Sequence, residues 1–95
     1  MNIVWSPEAI QDLISLQAYI EVESPASARR IVLRILHVIE HLLPDNPHMG
    51  RPGRVPGTRE LVIAQTPYIV PYRVQRDAIQ ILRVYHSARC WPDSF

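Results

Sequence analysis

The segment from Pro44 to Pro56 constrains the fold more than any other, because it divides the helical part of the sequence from the strand-like part. It contains four of the nine prolines, and with the following Gly57 it contains all three glycines. Proline has no amide N–H and clashes with a preceding helical turn, so such a segment cannot continue a helix or a central strand. We predict a loop that is ordered by its prolines and not by contacts, and that carries Arg51 and Arg54 outward.

Two Ser-Pro pairs, at positions 6–7 and 24–25, predict the starts of two helices before this loop. A serine hydroxyl caps the free amides of a first turn, and proline suits the first helical position. Apolar residues at helical spacing extend the first helix to about Val22 and the second to about Leu43. The short connection between them predicts an antiparallel helix hairpin. Leu33 and Leu36 lie off the apolar stripe of the second helix, where they can contact the sheet edge or a partner.

Runs of β-branched and aromatic residues predict the strands. A short strand opens the chain at positions 3–5, and three more follow the loop, at Thr58–Ala64, Tyr68–Val74 and Ala78–His86. Pro71 cannot donate to a sheet ladder, so it predicts an exposed edge or a bulge. The order is β-α-α-β-β-β. It predicts an α+β fold in which the helix hairpin packs on one face of a small, mainly antiparallel sheet.

The composition limits the possible classes of function. A chain of 95 residues suits a single domain, residues 1–95. Its only cysteine, Cys90, excludes an internal disulfide, and the absence of lysine excludes a lysine Schiff base. A hydrophobic fraction of 47% leaves apolar residues for a partner. The N-terminus has no signal-peptide pattern and no stretch suits a membrane span, so we expect a cytoplasmic protein that does not contact a membrane.

Neither metal nor nucleophilic chemistry is favoured. Residues 37–41, His-Val-Ile-Glu-His, match an inverted zinc-protease pattern, but so small a chain has no room for a peptide-sized cleft. His37 and His41 instead continue a polar helix face with Arg30 and Arg34. Cys90 has no orienting group at a definable place. We expect no metal site and no cofactor.

A C-terminal set of arginines and aromatic residues is more informative. Arginine alternating with aromatic rings suits phosphates and stacked bases, although the rings are equally explained as core and the arginines as surface charge. Arg83 lies among apolar neighbours on its strand and needs a partner, for which Glu60 is a candidate. The set comprises Arg73, Arg83, His86 and Arg89, with Tyr68, Tyr72, Tyr85 and Trp91 interleaved.

The ordered fragments of the chain resemble the RelE/ParE toxin superfamily of bacterial type II toxin–antitoxin systems. They are Trp5-Ser6-Pro7-Glu8-Ala9, Arg59-Glu60-Leu61, Tyr68 to Val74 and Ile79 to Pro92. The resemblance covers nearly the whole chain and implies the same helix hairpin on an antiparallel sheet. It also implies a small antitoxin that wraps and neutralises the toxin. It implies no cofactor and no sequence-specific DNA binding by this chain.

The superfamily divides into RelE-like messenger-RNA endoribonucleases and ParE-like inhibitors of DNA gyrase, which are not enzymes. Cleavage of RNA needs a base, cations for the phosphate and an acid. Ala64 stands where an arginine of the RelE-like cluster is expected, and the tail after Pro92 has no tyrosine or histidine. A nuclease would have to use His86 and Arg89. The chain looks more like ParE, although Cys90 replaces the acidic residue often found there.

The resemblance therefore implies a toxin that inhibits gyrase and is neutralised by a ParD-like antitoxin. A RelE-like endoribonuclease and a non-toxic antitoxin-binding module are the alternatives. Candidate target-binding residues are Arg73, Arg83, His86, Arg89 and Trp91. Candidate antitoxin-binding residues are Leu33, Leu36, Arg59 and Pro71.

Overall fold

The computed structural model describes residues 1–95 and contains the predicted helix hairpin. Helix α1 spans Pro7–Glu21 and helix α2 spans Pro25–His37. The hydroxyl of Ser6 accepts a hydrogen bond from the Ala9 N–H (3.0 Å), and that of Ser24 accepts one from the Ser27 N–H (3.1 Å). Both serines are therefore the helix caps that the Ser-Pro pairs predict. After α2, the chain continues as a π-helical turn, Val38–Leu42, and a 3-10 turn, Leu43–Asp45. No helix combines the length and apolar character that crossing a membrane requires.

The sheet is mixed, with β1 at one edge and β2 at the other. Its order is β1-β5-β4-β3-β2, and β6 continues along β4 beyond β5. Strand β1 pairs with β5 in parallel, and all other pairs are antiparallel. The predicted α+β class and the mainly antiparallel sheet are confirmed. The strands are β1 (Asn2–Trp5), β2 (Arg51–Pro52), β3 (Arg59–Val62), β4 (Tyr68–Val74), β5 (Ala78–Ile81) and β6 (Tyr85–His86).

Pro71 lies opposite a bulge in the middle of the sheet and not at an exposed edge. Between the pairs Tyr72↔Ile81 and Ile69↔Tyr85, β4 has two residues while the facing chain has three. The extra residue is a β-bulge, which divides the predicted strand Ala78–His86 into β5 and β6. The prediction of a bulge is confirmed. The prediction of an edge is wrong, because β4 is flanked on both sides and the Pro71 side chain is buried.

The core lies between the helix hairpin and one face of the sheet. Ile35 and Ile39 on the helical side are fully buried against Val70, Tyr72 and Ile79 on the sheet side. The helices therefore cover the sheet through their apolar stripe, as the 3.6-residue period of the sequence predicts.

The prediction that the proline-rich loop is ordered by its prolines and not by contacts is wrong, because the loop also bonds to β3 and β4. Arg51 and Pro52 form β2, which pairs with β3. Arg51 and Arg54 also turn toward Glu60, whose side chain is only 1% exposed. The Glu60 carboxylate accepts hydrogen bonds from Arg51 Nε (3.2 Å), Arg51 Nη2 (3.0 Å) and the Arg54 N–H (2.7 Å). Both arginine side chains stay about half exposed (51% and 48%), as the prediction that they face outward requires. Their charged groups nevertheless turn back to Glu60, because a buried carboxylate needs such partners.

Tyr72 fastens the beginning of this loop to the sheet. Its hydroxyl donates to the Pro47 carbonyl (2.8 Å) and accepts from the Gly50 N–H (2.9 Å). A Cβ at position 50 would lie 2.6 Å from Tyr72 Cε1, which is closer than Cβ atoms approach other atoms. The tight approach of the loop to Tyr72 therefore requires glycine at position 50.

Candidate functional site

A cleft of about 650 Å³ opens where the start of α1, the sheet and the C-terminal tail meet. We call it the arginine cleft, because three arginines from separate segments line it. Strand β4 contributes Arg73, the bulge contributes Arg83 and the turn after β6 contributes Arg89. The lining residues are Ser6, Glu8, Arg73, Gln80, Leu82, Arg83, Tyr85, Arg89, Cys90, Trp91, Pro92, Ser94 and Phe95.

Arg83 is paired with Asp12 of α1 and not with Glu60. Its Nε donates to Asp12 Oδ2 (2.7 Å) and its Nη2 donates to Asp12 Oδ1 (2.9 Å), which makes a bidentate ion pair. The Val84 N–H also donates to Asp12 Oδ2 (2.9 Å). Hydrogen bonding to Asp12 raises the pKa of the Arg83 guanidinium. The prediction that Glu60 is the partner of Arg83 is wrong, because β4 separates β3 from the bulge and Arg51 and Arg54 already pair with the Glu60 carboxylate.

Tyr85 is the centre of the ring contacts in the cleft. The guanidinium carbons of Arg83 and Arg89 lie 4.8 Å and 4.5 Å from its ring centroid. Trp91 meets it edge-on, with ring centroids 5.1 Å apart. Tyr85 is only 2% exposed, so its ring offers no free face to a nucleic-acid base. The ring instead holds the arginines in place through cation–π contacts.

Arg73 and Arg89 are the free cations of the cleft. Neither forms an ion pair or a side-chain hydrogen bond, whereas the charge of Arg83 is balanced by Asp12. Glu8 is the only acidic side chain that lines the cleft. The cleft can therefore offer two unpaired guanidinium groups to acidic side chains or phosphates of a partner.

His86 lies away from the arginine cleft. Its side chain packs edge-on against Tyr68 (ring centroids 5.6 Å apart) and borders a separate cavity between α1 and β6. Its Nδ1 accepts a hydrogen bond from the Ala88 N–H (3.1 Å). In the neutral ring the other nitrogen then carries the proton, so no lone pair is free to act as a base. The structure thus brings together four of the five predicted target-binding residues in the arginine cleft. His86 is not part of that lining, and of the four only Arg89 also borders the cavity of His86. The sequence contains a signal for this position of His86. Successive side chains of a strand point to opposite faces of the sheet, and His86 directly follows Tyr85.

Trp91 is held at the cleft by its ring alone. The Arg54 guanidinium carbon lies 4.0 Å above its ring centroid, and Tyr85 meets its edge. The indole N–H is buried without an acceptor. Sequence reasoning missed Arg54 as a neighbour of the site, because the loop and the tail are far apart in the chain and no local pattern links them.

The predicted antitoxin-binding residues differ in accessibility. Leu33 is 52% exposed, whereas Leu36 is half-buried. Arg59 is half-buried, and its Nη1 donates to the Gly50 carbonyl (2.7 Å), so it holds the loop. Pro71 is buried and has no accessible side chain. Sequence reasoning did not identify Val62, which is 52% exposed on β3 beyond the two residues that pair with β2.

Two further motifs give no additional site. The rings of His37 and His41 lie 5.2 Å apart on the helix surface. No group of three or more histidine, cysteine, aspartate or glutamate side chains lies close enough to hold a metal ion. Cys90 is exposed and unpaired.

Comparison with known proteins identifies relatives over nearly the whole chain. Residues 3–91 match the family described as ParE toxin of type II toxin-antitoxin system, parDE. Toxin Y4kP of Sinorhizobium fredii is 46% identical over 91 residues, which are 96% of this chain and 93% of that protein. Toxin RelE2 of Caulobacter vibrioides is 34% identical over 93% of this chain and 97% of that protein.

Solved structures share the architecture. A chain of the chromosomal ParDE system from P. aeruginosa matches with a TM-score of 0.75 and 31% identity, over 90% of this chain and 95% of that one. A chain of the toxin–antitoxin complex RelBE2 from Mycobacterium tuberculosis matches with a TM-score of 0.66 over 93% and 92% of the two chains. Its 24% identity supports the common fold alone.

Proposed function

Because the chain belongs to the ParE family of toxins of type II toxin–antitoxin systems, we propose that it inhibits DNA gyrase and is neutralised by a ParD-like antitoxin. The observation that carries the choice of target is the position of His86. His86, the base that a nuclease of this sequence would use, lies outside the arginine cleft and shares its own cavity with Arg89 but not with Arg73 or Arg83. Its Nδ1 already accepts a hydrogen bond from the Ala88 N–H. The cleft is therefore better suited to binding a partner than to cutting RNA.

Arg73 and Arg89 are the proposed contacts to the target. Both are free of acidic partners, and each presents a planar guanidinium that matches carboxylates in two-pronged hydrogen bonds. Arg83 contributes less directly to target binding, because its Nε and Nη2 already donate to the Asp12 carboxylate. Trp91 forms part of the same wall of the cleft.

The proposed antitoxin surface comprises Leu33 on α2 and the open part of β3 at Val62. Arg34, next to Leu33, donates from its Nε to the Ala64 carbonyl (2.6 Å) and so ties α2 to the end of β3. Strand β2 covers only Arg59 and Glu60. An extended antitoxin segment that pairs with the remaining edge of β3 would also cover the apolar side chain of Leu33. Antitoxin chains assemble with toxins in the ParDE and RelBE2 systems that share this fold.

The decisive experiment compares the two targets side by side. The purified chain is added to a gyrase supercoiling assay and to a ribosome-bound message. We expect inhibition of supercoiling, relief of that inhibition by the antitoxin encoded in the neighbouring reading frame, and intact message. Specific cuts in the message with unaffected supercoiling would establish the nuclease alternative. In that case a Glu8→Gln variant tests the one carboxylate of the cleft as the base.

A non-toxic binding module is the remaining alternative. Induction of the chain alone in a bacterial host separates it from both toxins, because a toxin arrests growth. Harmless expression of a folded chain that still binds its antitoxin would contradict the gyrase proposal.

A further inference from the structure

Arg54 is connected to the arginine cleft without being part of its lining. Its guanidinium carbon stacks 4.0 Å above the Trp91 ring, and Trp91 does line the cleft. Arg54 therefore reaches the cleft only through the indole. Cation–π contacts of this kind orient an aromatic ring as well as stabilise it.

The C-terminal tail has few other attachments. The last backbone hydrogen bond of the chain runs from the Arg89 N–H to the His86 carbonyl (3.0 Å), and residues 90–95 form none. The indole N–H of Trp91 has no acceptor. The tail is consequently held by contacts to its rings, namely Arg54 and Tyr85 on Trp91, and Tyr85 on Phe95 (6.3 Å between centroids).

The buried carboxylate of Glu60 fixes Arg54 from the opposite side. Glu60 Oε2 accepts a hydrogen bond from the Arg54 N–H (2.7 Å) and lies 3.6 Å from Arg54 Nε. The carboxylate is only 1% exposed, and a buried charge is confined to positions where its partners are present. Glu60 thus fixes the positions of both the backbone N–H and the guanidinium group of Arg54.

From these contacts we propose that Arg54 is a positioning residue, which Glu60 holds over Trp91 so that the tail forms one wall of the arginine cleft. The proposal rests on the proposed function, because it assigns Arg54 to the same target-binding site. It adds the proline-rich loop to that site, although no atom of Arg54 lines the cleft.

Arg51 is the matched control for this proposal. It binds the same carboxylate more strongly than the Arg54 side chain does, with two hydrogen bonds against one 3.6 Å contact, yet it has no contact with Trp91. If a measured effect comes from lost pairing with Glu60, it should therefore be larger in Arg51→Gln than in Arg54→Gln. If it comes from the lost contact with the indole, it should appear in Arg54→Gln alone. The backbone bond from position 54 to Glu60 remains in both variants.

The structural test follows the indole N–H of Trp91 by NMR in the full chain. The two tryptophans give two indole signals, and a Trp91→Phe variant assigns them. We expect Arg54→Gln to speed water exchange of the Trp91 indole by about two- to fivefold, as an exposed cation–π contact predicts. Arg54→Lys, which keeps a cation, is expected to restore most of the protection. Arg51→Gln is expected to leave the Trp91 signal unchanged.

The functional test uses the same variants in the supercoiling assay. Arg54→Gln is expected to weaken inhibition by about the same two- to fivefold, with rescue by Arg54→Lys. Unchanged Trp91 exchange in Arg54→Gln, or an equal effect of Arg51→Gln, would overturn the proposal. Absence of inhibition by the wild-type chain would instead contradict the proposed function, and the exchange comparison, which needs no target, would still decide the positioning role.

Discussion

The carboxylate of Asp12 on α1 accepts two hydrogen bonds from the guanidinium of Arg83, at 2.7 Å and 2.9 Å, and so ties the first helix to the bulge that forms the arginine cleft. The same carboxylate accepts a bond from the Val84 N–H (2.9 Å). Residues of the bulge have no paired residue on β4. Asp12 therefore supplies the hydrogen-bond acceptor that the Val84 N–H lacks in the sheet.

Asp12→Asn should therefore destabilise the fold. The amide cannot reproduce a bidentate, charge-assisted pair, and we expect a loss of about 2 kcal/mol in the free energy of unfolding. Urea denaturation monitored by circular dichroism measures this loss. Glu23→Gln is the control, because Glu23 is exposed and forms no ion pair. Equal midpoints for the two variants would contradict the structural role of Asp12.

Gly50→Ala should destabilise the loop by steric overlap. The added Cβ would lie 2.6 Å from Tyr72 Cε1 and 2.9 Å from the Glu60 carbonyl oxygen, so the loop must move away from β3 and β4. Overpacking of this kind typically destabilises by about 1–3 kcal/mol. Gly57→Ala is an informative comparison, since position 57 has open space but a φ of +78°. We expect it to lose only about 1 kcal/mol through backbone strain, and a reversed order in thermal melts would refute the steric explanation.

The stability of the protein should fall at alkaline pH through its buried tyrosines. Burial raises the pKa of Tyr72 above its ordinary value of 10.0, although the hydrogen bond to Gly50 and the charge of Arg59 oppose the shift. Burial also raises the pKa of Tyr68. In the unfolded chain these hydroxyls ionise first, so the folded state loses relative stability as the pH rises above 10.0.

A Tyr72→Phe variant separates this effect from general alkaline damage. It removes one ionising group, so its free energy of unfolding should decline less steeply above pH 10.0 than that of the wild type. It should also be less stable at neutral pH by about 1–2 kcal/mol, because the hydroxyl bonds to Pro47 and Gly50 are lost. Parallel pH slopes for the two proteins would show that Tyr72 is not responsible.

Arg89→Ala should reduce toxicity without unfolding the chain. The Arg89 guanidinium is one of two cations in the cleft without an acidic partner. If gyrase is the target, as proposed, loss of a charge-assisted contact predicts about a tenfold weaker inhibition of supercoiling. Arg76→Ala, in the exposed turn between β4 and β5, is the matched control. Growth arrest after induction and supercoiling assays report the difference. If a folded Arg89→Ala chain kept its full toxicity, Arg89 would not be a contact to the target.

Leu33→Asp should weaken antitoxin binding, because it places a charge on the apolar surface proposed to be covered. Val4→Asp provides a control of similar exposure, 50% against 52%, on β1 at the opposite edge of the sheet from β2 and β3. Titration calorimetry with the antitoxin should show a loss of about tenfold or more for Leu33→Asp alone. Equal affinities for both variants would place the antitoxin elsewhere.

Local signals account for the parts of the fold that were predictable. Ser6 and Ser24 cap their helices because a hydroxyl, a proline and a first helical turn lie within a few residues of each other. The strand Tyr68–Val74 has the bounds that its β-branched and aromatic residues predict. The proline at position 71 correctly indicated a bulge, since the missing N–H disturbs the ladder wherever the strand lies.

The arrangement of the arginine cleft was decided by contacts between distant segments. The sequence suggested that Arg83 pairs with Glu60, but β4 lies between the bulge and β3. Helix α1 instead brings Asp12 to Arg83, and the proline-rich loop brings Arg51 and Arg54 to Glu60. Local signals were sufficient to predict the helix hairpin, most of the strands and the number of arginines, because caps and periodicity act over a few residues. They did not predict which charges are paired and which remain free, because that depends on how distant segments come together in the fold. The energy of an ion pair depends on the distance between the two charges, and the closure of loops and the order of strands set that distance. The spacing of residues along the chain does not predict either of them.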